Sequence, residues 1–341
     1  MPTRLPPQFQ ARPASMEDVD SVVQMLNLCS SESVGAELHN TESQKAGWTT
    51  PGFRLAADAV VVLGPRGELV GYADVLAFEK PHVQIRCWGR VHPEYRGLGI
   101  GTWLVEWEEE RARSAIRMAP SDARVILRQG AFERDRHAHE LLESHGFECV
   151  RRFWRMETDL DRPIAEPEWP EGIGIRIFDP KRDLEPAVSM ARSAFQDHWG
   201  NVPRPLEQDI ALWRHWIGES GFDARLWYLA VAGEEIVGLA LCAGSSSEDP
   251  LLASVDSLAV ARAWRRRGIG LALLRHAFRE LQRRGNRRVD LGVDGDSLTG
   301  ANRLYERAGM VPKRRSDIFV KELRGGRDLT CQRIDTDRAS G

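Results

Sequence analysis

Residues 258–274 read LAVARAWRRRGIGLALL, and the fold follows from this stretch. Leu258–Val260 reads as the end of a strand and Arg265–Gly270 as an Arg-x-x-Gly-x-Gly turn. The residues after the turn read as a helix, because Ile269, Leu273, Leu274, Ala277, Phe278 and Leu281 keep one face apolar. A strand, a glycine turn and an amphipathic helix in this order form an anion cradle. The glycines let the backbone come close, and the N–H groups of the first helical turn, which lack partners, point at the guest. A pyrophosphate is the natural guest. The dinucleotide fingerprint GxGxxG does not apply, since neither glycine turn continues to a third glycine.

The same device occurs twice. RVHPEYRGLGIG at 90–101 falls on AVARAWRRRGIG at 259–270, aligning Arg96, Gly99 and Gly101 with Arg265, Gly268 and Gly270. AHELLESHGF at 138–147 falls on ANRLYERAGM at 301–310. An internal repeat sets the architecture before any single residue is interpreted. It predicts an N-terminal domain over 8–160, a Pro-rich linker over 161–172 (DRPIAEPEWPEG), a C-terminal domain over 173–324 and a loose tail over 325–341. A chain of 341 residues is long enough for two such cores.

Each half gives the same mixed α/β order. Phe9–Arg12 is a strand, followed by a capping-box helix start at Ser15 and Asp18. Its counterpart is the strand Ile175–Phe178, followed by Asp179-Pro180 opening a helix to Phe195. Hairpins follow at Ala59–Leu63 with Glu68–Phe78, and at Leu226–Val231 with Glu235–Cys242. After the glycine turns, the second half shows a strand at Val289–Val293, a helix at Thr299–Ala308 and a closing strand at Asp317–Glu322.

Composition excludes several function classes. Lys plus Arg number 47 against 50 Asp plus Glu, a formal charge of −3, which is not the footprint of a nucleic-acid binder. No apolar run approaches the roughly 20 residues of a membrane span, and the opening MPTRLPPQFQ has no signal-peptide middle, so a cytoplasmic protein with no membrane partner is expected. The five cysteines (Cys29, Cys87, Cys149, Cys242, Cys331) form no CxxC pair and predict neither a disulfide framework nor a zinc site. His137 and His139, at i and i+2 on a helix, cannot share an ion, so no metal is expected.

The run from Val260 through Arg265-Arg266-Arg267-Gly268-Ile269-Gly270 to Leu304-Tyr305-Glu306-Arg307-Ala308-Gly309 resembles the GCN5-related N-acetyltransferase (GNAT) superfamily. Both halves match, so the chain resembles a tandem-domain member, with an architecture like that of mycothiol synthase. The resemblance implies two mixed sheets, each splayed near its centre and flanked by helices, with acetyl-CoA wedged in the opening. It implies that pantetheine pairs with the backbone of Leu258, Ala259 and Val260. It further implies that the diphosphate rests on Arg265, Arg266, Arg267, Gly268, Ile269, Gly270 and Leu271. The family's asparagine at the head of the tyrosine helix is replaced only approximately, by Ser297 and Asn302. In the first copy, Val91, Arg96, Gly97, Gly99 and Gly101 keep the CoA cradle.

Acetyl transfer needs an uncharged amine, a donor to the tetrahedral oxyanion and an acid for the departing thiolate. A phenol with an ordinary pKa of about 10 suits the last task, and the family places its acid at Tyr305. Asp256, four residues before Val260 on the strand lining the cleft, is the candidate base, and the Val260 N–H the candidate oxyanion donor. The first copy has Leu142 for Tyr305 and, by alignment, Cys87 for Asp256, so it is expected to be catalytically silent. Asp197, His198 and Trp199 are the candidate acceptor contacts, within a Trp-rich segment where Trp213 and Trp216, at helical spacing, also suit the core. Arg283, Arg284, Arg287 and Arg288 suit a solvated helix end or a contact with the CoA 3′-phosphate.

These readings predict an acetyl-CoA-dependent N-acetyltransferase acting on a small-molecule primary amine in a ternary complex, as a monomer or homodimer. A non-catalytic acyl-CoA sensor and an acetyltransferase for protein N-termini or lysines are the alternatives.

Overall fold

The computed structural model describes residues 4–219, 221–246, 249–296 and 300–331. The chain forms two compact units, Met1–Arg152 with Arg315–Leu329, and Phe153–Arg314 with Thr330–Gly341.

The first unit contains β1 (Gln10–Pro13), α1 (Val19–Val34), α2 (Thr41–Trp48), α3 (Leu55–Asp58), β2 (Ala59–Leu63), β3 (Leu69–Leu76) and β4 (Gln84–Val91). These are followed by α4 (Ile100–Ala115), β5 (Val125–Phe132), α5 (Arg136–Ser144) and the start of β6 (Glu148–Asp159). Strands β1 to β4 pair antiparallel in sequence order. β4 and β5 run parallel only from Gln84↔Ile126 to Arg86↔Arg128, beyond which the pairing stops and the sheet opens. α4 packs on one face and α1 on the other.

The second unit repeats this plan with β7 (Ile173–Ile177), α6 (Pro180–Phe195), α7 (Leu206–Ile217), β8 (Trp227–Ala232), β9 (Glu235–Ala243), β10 (Leu252–Val260), α8 (Ile269–Arg283), β11 (Arg288–Asp294) and α9 (Ala301–Arg307). The last strand, β12 (Val311–Arg324), begins here. β10 and β11 are parallel from Leu252↔Arg288 to Ser254↔Asp290 and then part. The splay expected of the family is present in both units.

Helix starts follow the sequence signals. Asp179 caps α6 by accepting from the Lys181 N–H with Pro180 in the first turn, and the Ser15 N–H donates to Asp18. An ion pair ties the first strand to the first helix in each unit. Arg12 meets Asp18 at 2.7 and 2.6 Å, and Arg176 meets Asp183 at 2.5 and 3.0 Å.

The closing strands differ from the sequence reading. Residues 315–324, placed there with the C-terminal domain, belong to the first unit, because β12 pairs antiparallel with β5 from Ser316↔Phe132 to Arg324↔Val125. Phe153–Asp159 of β6, read as N-terminal, completes the second sheet against β11. Each unit thus takes its last strand from the other half of the chain. The expected linker over 161–172 lies wholly in the second unit, held to α8 by Arg275–Glu168 and Arg279–Glu166. The tail, read as loose from 325, is bonded through 331. The Arg327 N–H donates to the Asp122 carbonyl, and the Cys331 N–H to the Asn201 carbonyl. Residues 332–341 lie outside the described residues.

Candidate active site

The glycine turn of the second unit is built as an anion cradle. Gly268, at φ +93°, caps the fifteen-residue α8, and Arg266 adopts a left-handed φ of +61° beside it. The first intrahelical bond runs from the Ala272 N–H to the Gly268 carbonyl, which leaves the earlier N–H groups of α8 available to a phosphate. Gly270 is close-packed, since a Cβ there would lie 3.1 Å from Leu304. Gly99, at φ +85°, caps the sixteen-residue α4 in the same way.

The three arginines of the turn are not equivalent. Arg265 is held by the fold, donating to Asp197 at 3.0 Å, to the Ala194 carbonyl at 2.6 Å and to the Val260 carbonyl at 3.3 Å. Arg267 lies over the Trp264 ring at 4.8 Å. Arg266 pairs with no carboxylate among the described residues, and Arg307 of α9, which sequence reasoning passed over, lines the same polar hollow as Arg267, Gly268 and Leu271. Of the cluster at 283–288, each arginine meets an acid. Arg283 and Arg284 pair with Glu280, Arg284 also with Asp223, Arg287 with Asp161, and Arg288 with Glu157 and Asp249. That cluster ties elements together through ion pairs, which neither the solvated-terminus reading nor the 3′-phosphate reading anticipated.

The register of β10 against β9 slips between Val255 and Ser257, so Asp256 is the extra residue of a bulge. A bulge re-aims a side chain. Asp256 accordingly lines a cavity of about 620 Å³ with residues of α6 and α7 and with Trp213, Trp216, Phe222 and Trp227. Its carboxylate accepts from the Ser254 hydroxyl at 2.7 Å. Although the side chain touches solvent, the cavity walls desolvate it and push its pKa up, against the lowering pull of Ser254 and Arg155.

Tyr305 lies on the other face of the sheet, packed with Val255, Ile269, Leu273 and Val293. Its hydroxyl bonds to no described residue, and burial pushes its pKa up to about 12. Between the two side chains runs the edge of β10 that β11 leaves open beyond Ser254, carrying Leu258, Ala259 and Val260. Asp256 thus stands on one face of this edge and Tyr305 on the other. Asn302 donates to the Gly295 carbonyl at 2.8 Å and leaves its own buried oxygen unpartnered, while Ser297 lies outside the described residues.

The acceptor candidates fare differently. Asp197 is buried in ion pairs with Arg262 and Arg265, His198 meets Phe195 edge to face with its pKa lowered by burial, and neither they nor Trp199 line the cavity. The lining comes from α6, residues 201–204, α7 and β9, with Trp213 buried and Trp216 44% exposed.

The first unit departs from the sequence alignment at one point. β4 pairs with β3 without a register shift, so Cys87 is an ordinary in-register residue opposite Val75 and the unit has no counterpart to Asp256. Leu142 does stand at the place of Tyr305, because the Phe147 N–H reaches the Leu142 carbonyl as the Met310 N–H reaches that of Tyr305.

Comparison with known proteins agrees with this geometry. Residues 188–310 match the acetyltransferase (GNAT) family and residues 56–149 the acetyltransferase (GNAT) domain. A mycothiol acetyltransferase of Saccharopolyspora erythraea is 31% identical over 250 residues, covering 72% of this chain and 80% of that protein. The chain belongs to the GNAT family as a tandem-domain member. Among solved structures, a GCN5-related N-acetyltransferase from Sphaerobacter thermophilus is 38% identical, with a TM-score of 0.79, over 96% of this chain and 99% of that one. A tandem GNAT protein from the clavulanic acid biosynthesis pathway shares the fold at 18% identity and a TM-score of 0.73, over 94% of this chain and 100% of that one. Membership makes the chain an N-acetyltransferase that uses an acyl-CoA, and leaves the purely non-catalytic reading without support for the chain as a whole. No helix among the described residues is long and apolar enough to cross a membrane.

Proposed function

We propose that the second unit transfers the acetyl group of acetyl-CoA to the primary amine of a small molecule, by direct attack in a ternary complex. The observation that carries this reading is the bulge at Asp256, which turns a carboxylate into an aromatic-lined cavity beside the open edge of β10. Diphosphate sits on the start of α8, pantetheine lies along Leu258–Val260, and the carbonyl reaches the gap between Asp256 and Tyr305. Asp256 takes the ammonium proton, directly or through water, and the Val260 N–H meets the oxyanion. Tyr305 returns a proton to the thiolate, a role that suits a phenol held protonated by burial.

The aromatic-walled cavity, about 620 Å³, is of a size for a small acceptor, and relatives named mycothiol acetyltransferases support the same reading. The first unit, lacking both groups, supports the fold and retains its own cradle. Steady-state kinetics with acetyl-CoA and a library of small primary amines test the assignment. Tyr305→Phe and Asp256→Asn should each remove most turnover of a genuine substrate, and full retention in both would end it.

A further inference from the structure

The first unit has lost the acid and the base yet keeps an open cleft. A cavity of about 400 Å³ runs from Arg96, Gly97, Gly99 and Gly101 to Glu108 and Gln129. Glu108 lies eight residues beyond Ile100 on α4, about 12 Å along the helix from the anion cradle at the usual rise per residue. An extended phosphopantetheine arm spans that distance, so the floor stands where the acyl end of a bound thioester would arrive.

The floor is polar where its counterpart is apolar. Glu108 corresponds to Ala277 of α8, and the α8-facing positions of β11 are Val289, Leu291 and Val293 where β5 offers Gln129. Glu108 is fully buried and its Oε2 has no partner; Gln129 is 5% exposed, its Oε1 likewise unpartnered, and its amide nitrogen lies 3.5 Å from Glu108 Oε1. From the opposite face of β4 comes Arg90, at the place of Ala259. Among the described residues its guanidinium donates to the Gly89 carbonyl, lies 4.7 Å over the Trp88 ring and forms no ion pair, although the charge of Asp135, in the same cavity, acts on it. Successive residues of a strand face opposite ways, so a chain threaded through the open edge of β4 meets Glu108 from one side and Arg90 from the other. Burying polar groups without partners is costly, which makes their retention at the end of a cavity a mark of a ligand.

We propose that the first cleft is a second ligand site, for a CoA thioester whose acyl group ends in a carboxylate, of the succinyl class. Arg90 meets the carboxylate as a cation, and Glu108 and Gln129 donate to it from the floor. Burial and the nearby charge of Asp74 hold the Glu108 pKa up at about 8, against the opposing pull of Cys87, Arg90 and Gln129, so near neutrality its carboxyl carries a proton and donates to an acid instead of repelling it. The proposal rests on the glycine turn being a CoA-phosphate cradle and is independent of which amine the second unit acetylates.

Isothermal titration of the full chain with succinyl-CoA and with acetyl-CoA, in wild type and Gly101→Asp, tests it. The variant adds a negative charge to the first turn of α4 and presses its Cβ on Leu141, 3.0 Å away in the cleft wall, so the first cleft is the site that disappears. Succinyl-CoA should bind that site about tenfold or more tightly than acetyl-CoA, with Glu108→Ala and Arg90→Gln each reducing the preference several-fold. Arg90 has no ion pair to break, so its variant keeps the test open if loss of Glu108 prevents folding. Equal affinity for the two thioesters, no site lost in Gly101→Asp, or an unchanged preference in Arg90→Gln would each overturn the proposal. The titration reads binding and not turnover, so its failure is distinguishable from failure of the acetyl-transfer reading.

Discussion

The hydroxyl of Ser254 donates a 2.7 Å hydrogen bond to the carboxylate of Asp256 across the bulge of β10. Burial raises the carboxyl's pKa and this bond lowers it, so Ser254 tunes the pH at which Asp256 becomes a competent base. A base must be unprotonated, so activity falls on the acid side as pH drops through that pKa. Ser254→Ala should move the acid limb of kcat/KM to higher pH without abolishing turnover. Asp256→Asn should remove the limb and lower kcat by about 10²–10⁴. An acid limb in the same place in Ser254→Ala would argue that Asp256 is not the titrating group.

Tyr305→Phe isolates the acid. The hydroxyl has no hydrogen-bond partner among the described residues, so its removal should change the unfolding free energy by no more than about 0.5 kcal/mol while kcat drops by about 10²–10⁴. With its pKa pushed up to about 12, the phenol stays protonated throughout the assayable range. An alkaline limb in the wild-type profile would therefore be expected to arise from another group. A comparison of kcat–pH profiles and melting curves separates this from a packing role, which would lower stability first.

The α/β class, the repeat, the two glycine turns and the place of Tyr305 were legible because each is a local pattern: a turn with glycines at fixed offsets, an apolar face at a fixed period. The bulge at Asp256 was not, since one inserted residue leaves strand composition unchanged and shows only in the register against β9. The alignment therefore matched Cys87 to Asp256, although β4 has no extra residue to match. Asp197 was chosen for its neighbourhood, but two nearby arginines, Arg262 and Arg265, claim its carboxylate. Such pairing depends on tertiary approach that no spacing reveals. Arg90, Glu108 and Gln129 escaped notice for the same reason: each is unremarkable in its own element.

Glu108 should make stability fall with rising pH. Its folded pKa, about 8, exceeds that of a carboxyl in the unfolded chain, about 4.3, so the native state holds the proton through that window and the unfolded state does not. Asp74, raised to about 6 by burial, acts in the same direction over a narrower range. The contribution is complete below about pH 4 and is lost as pH rises through 8. Chemical denaturation from pH 6 to 9 should show the decline, and Glu108→Gln should flatten it. A slope equally steep in the variant would place the titration elsewhere.

The pair Arg176–Asp183 works with the opposite sign. Asp183 is buried and accepts from Arg176, from Arg182 and from the Asp179 N–H, bonds that together hold its carboxyl well below the usual range. Its stabilisation is present above the unfolded-state pKa of about 3.9 and is lost as pH falls toward the lower folded value. Asp183→Asn leaves Arg176 without its partner at the start of α6 and should cost about 3–5 kcal/mol at pH 7. The difference from wild type should shrink in acid; a constant difference down to pH 2 would mean that the charge is not what matters.

The exchanged strands make the first unit depend on the end of the chain. β5 is a central strand only because Ser316–Arg324 lies against it, with Lys321 reaching Glu109 at 2.5 Å, Glu322 reaching Arg124 at 2.6 Å and Phe319 fully buried. A fragment ending at residue 160, the domain boundary the repeat suggests, carries β5 with one edge unpaired and without the aromatic ring that fills its core. Loss of a buried Phe alone costs about 3–5 kcal/mol, comparable with the whole stability of a small domain, and a bare apolar edge invites association. Expressed alone, residues 1–160 should be aggregated or unfolded by circular dichroism and size-exclusion chromatography. Adding a covalently linked segment 315–329 after a flexible spacer should restore a cooperative melt. A fragment 1–160 that is monomeric and melts cooperatively without it would show that β12 is dispensable to the first core.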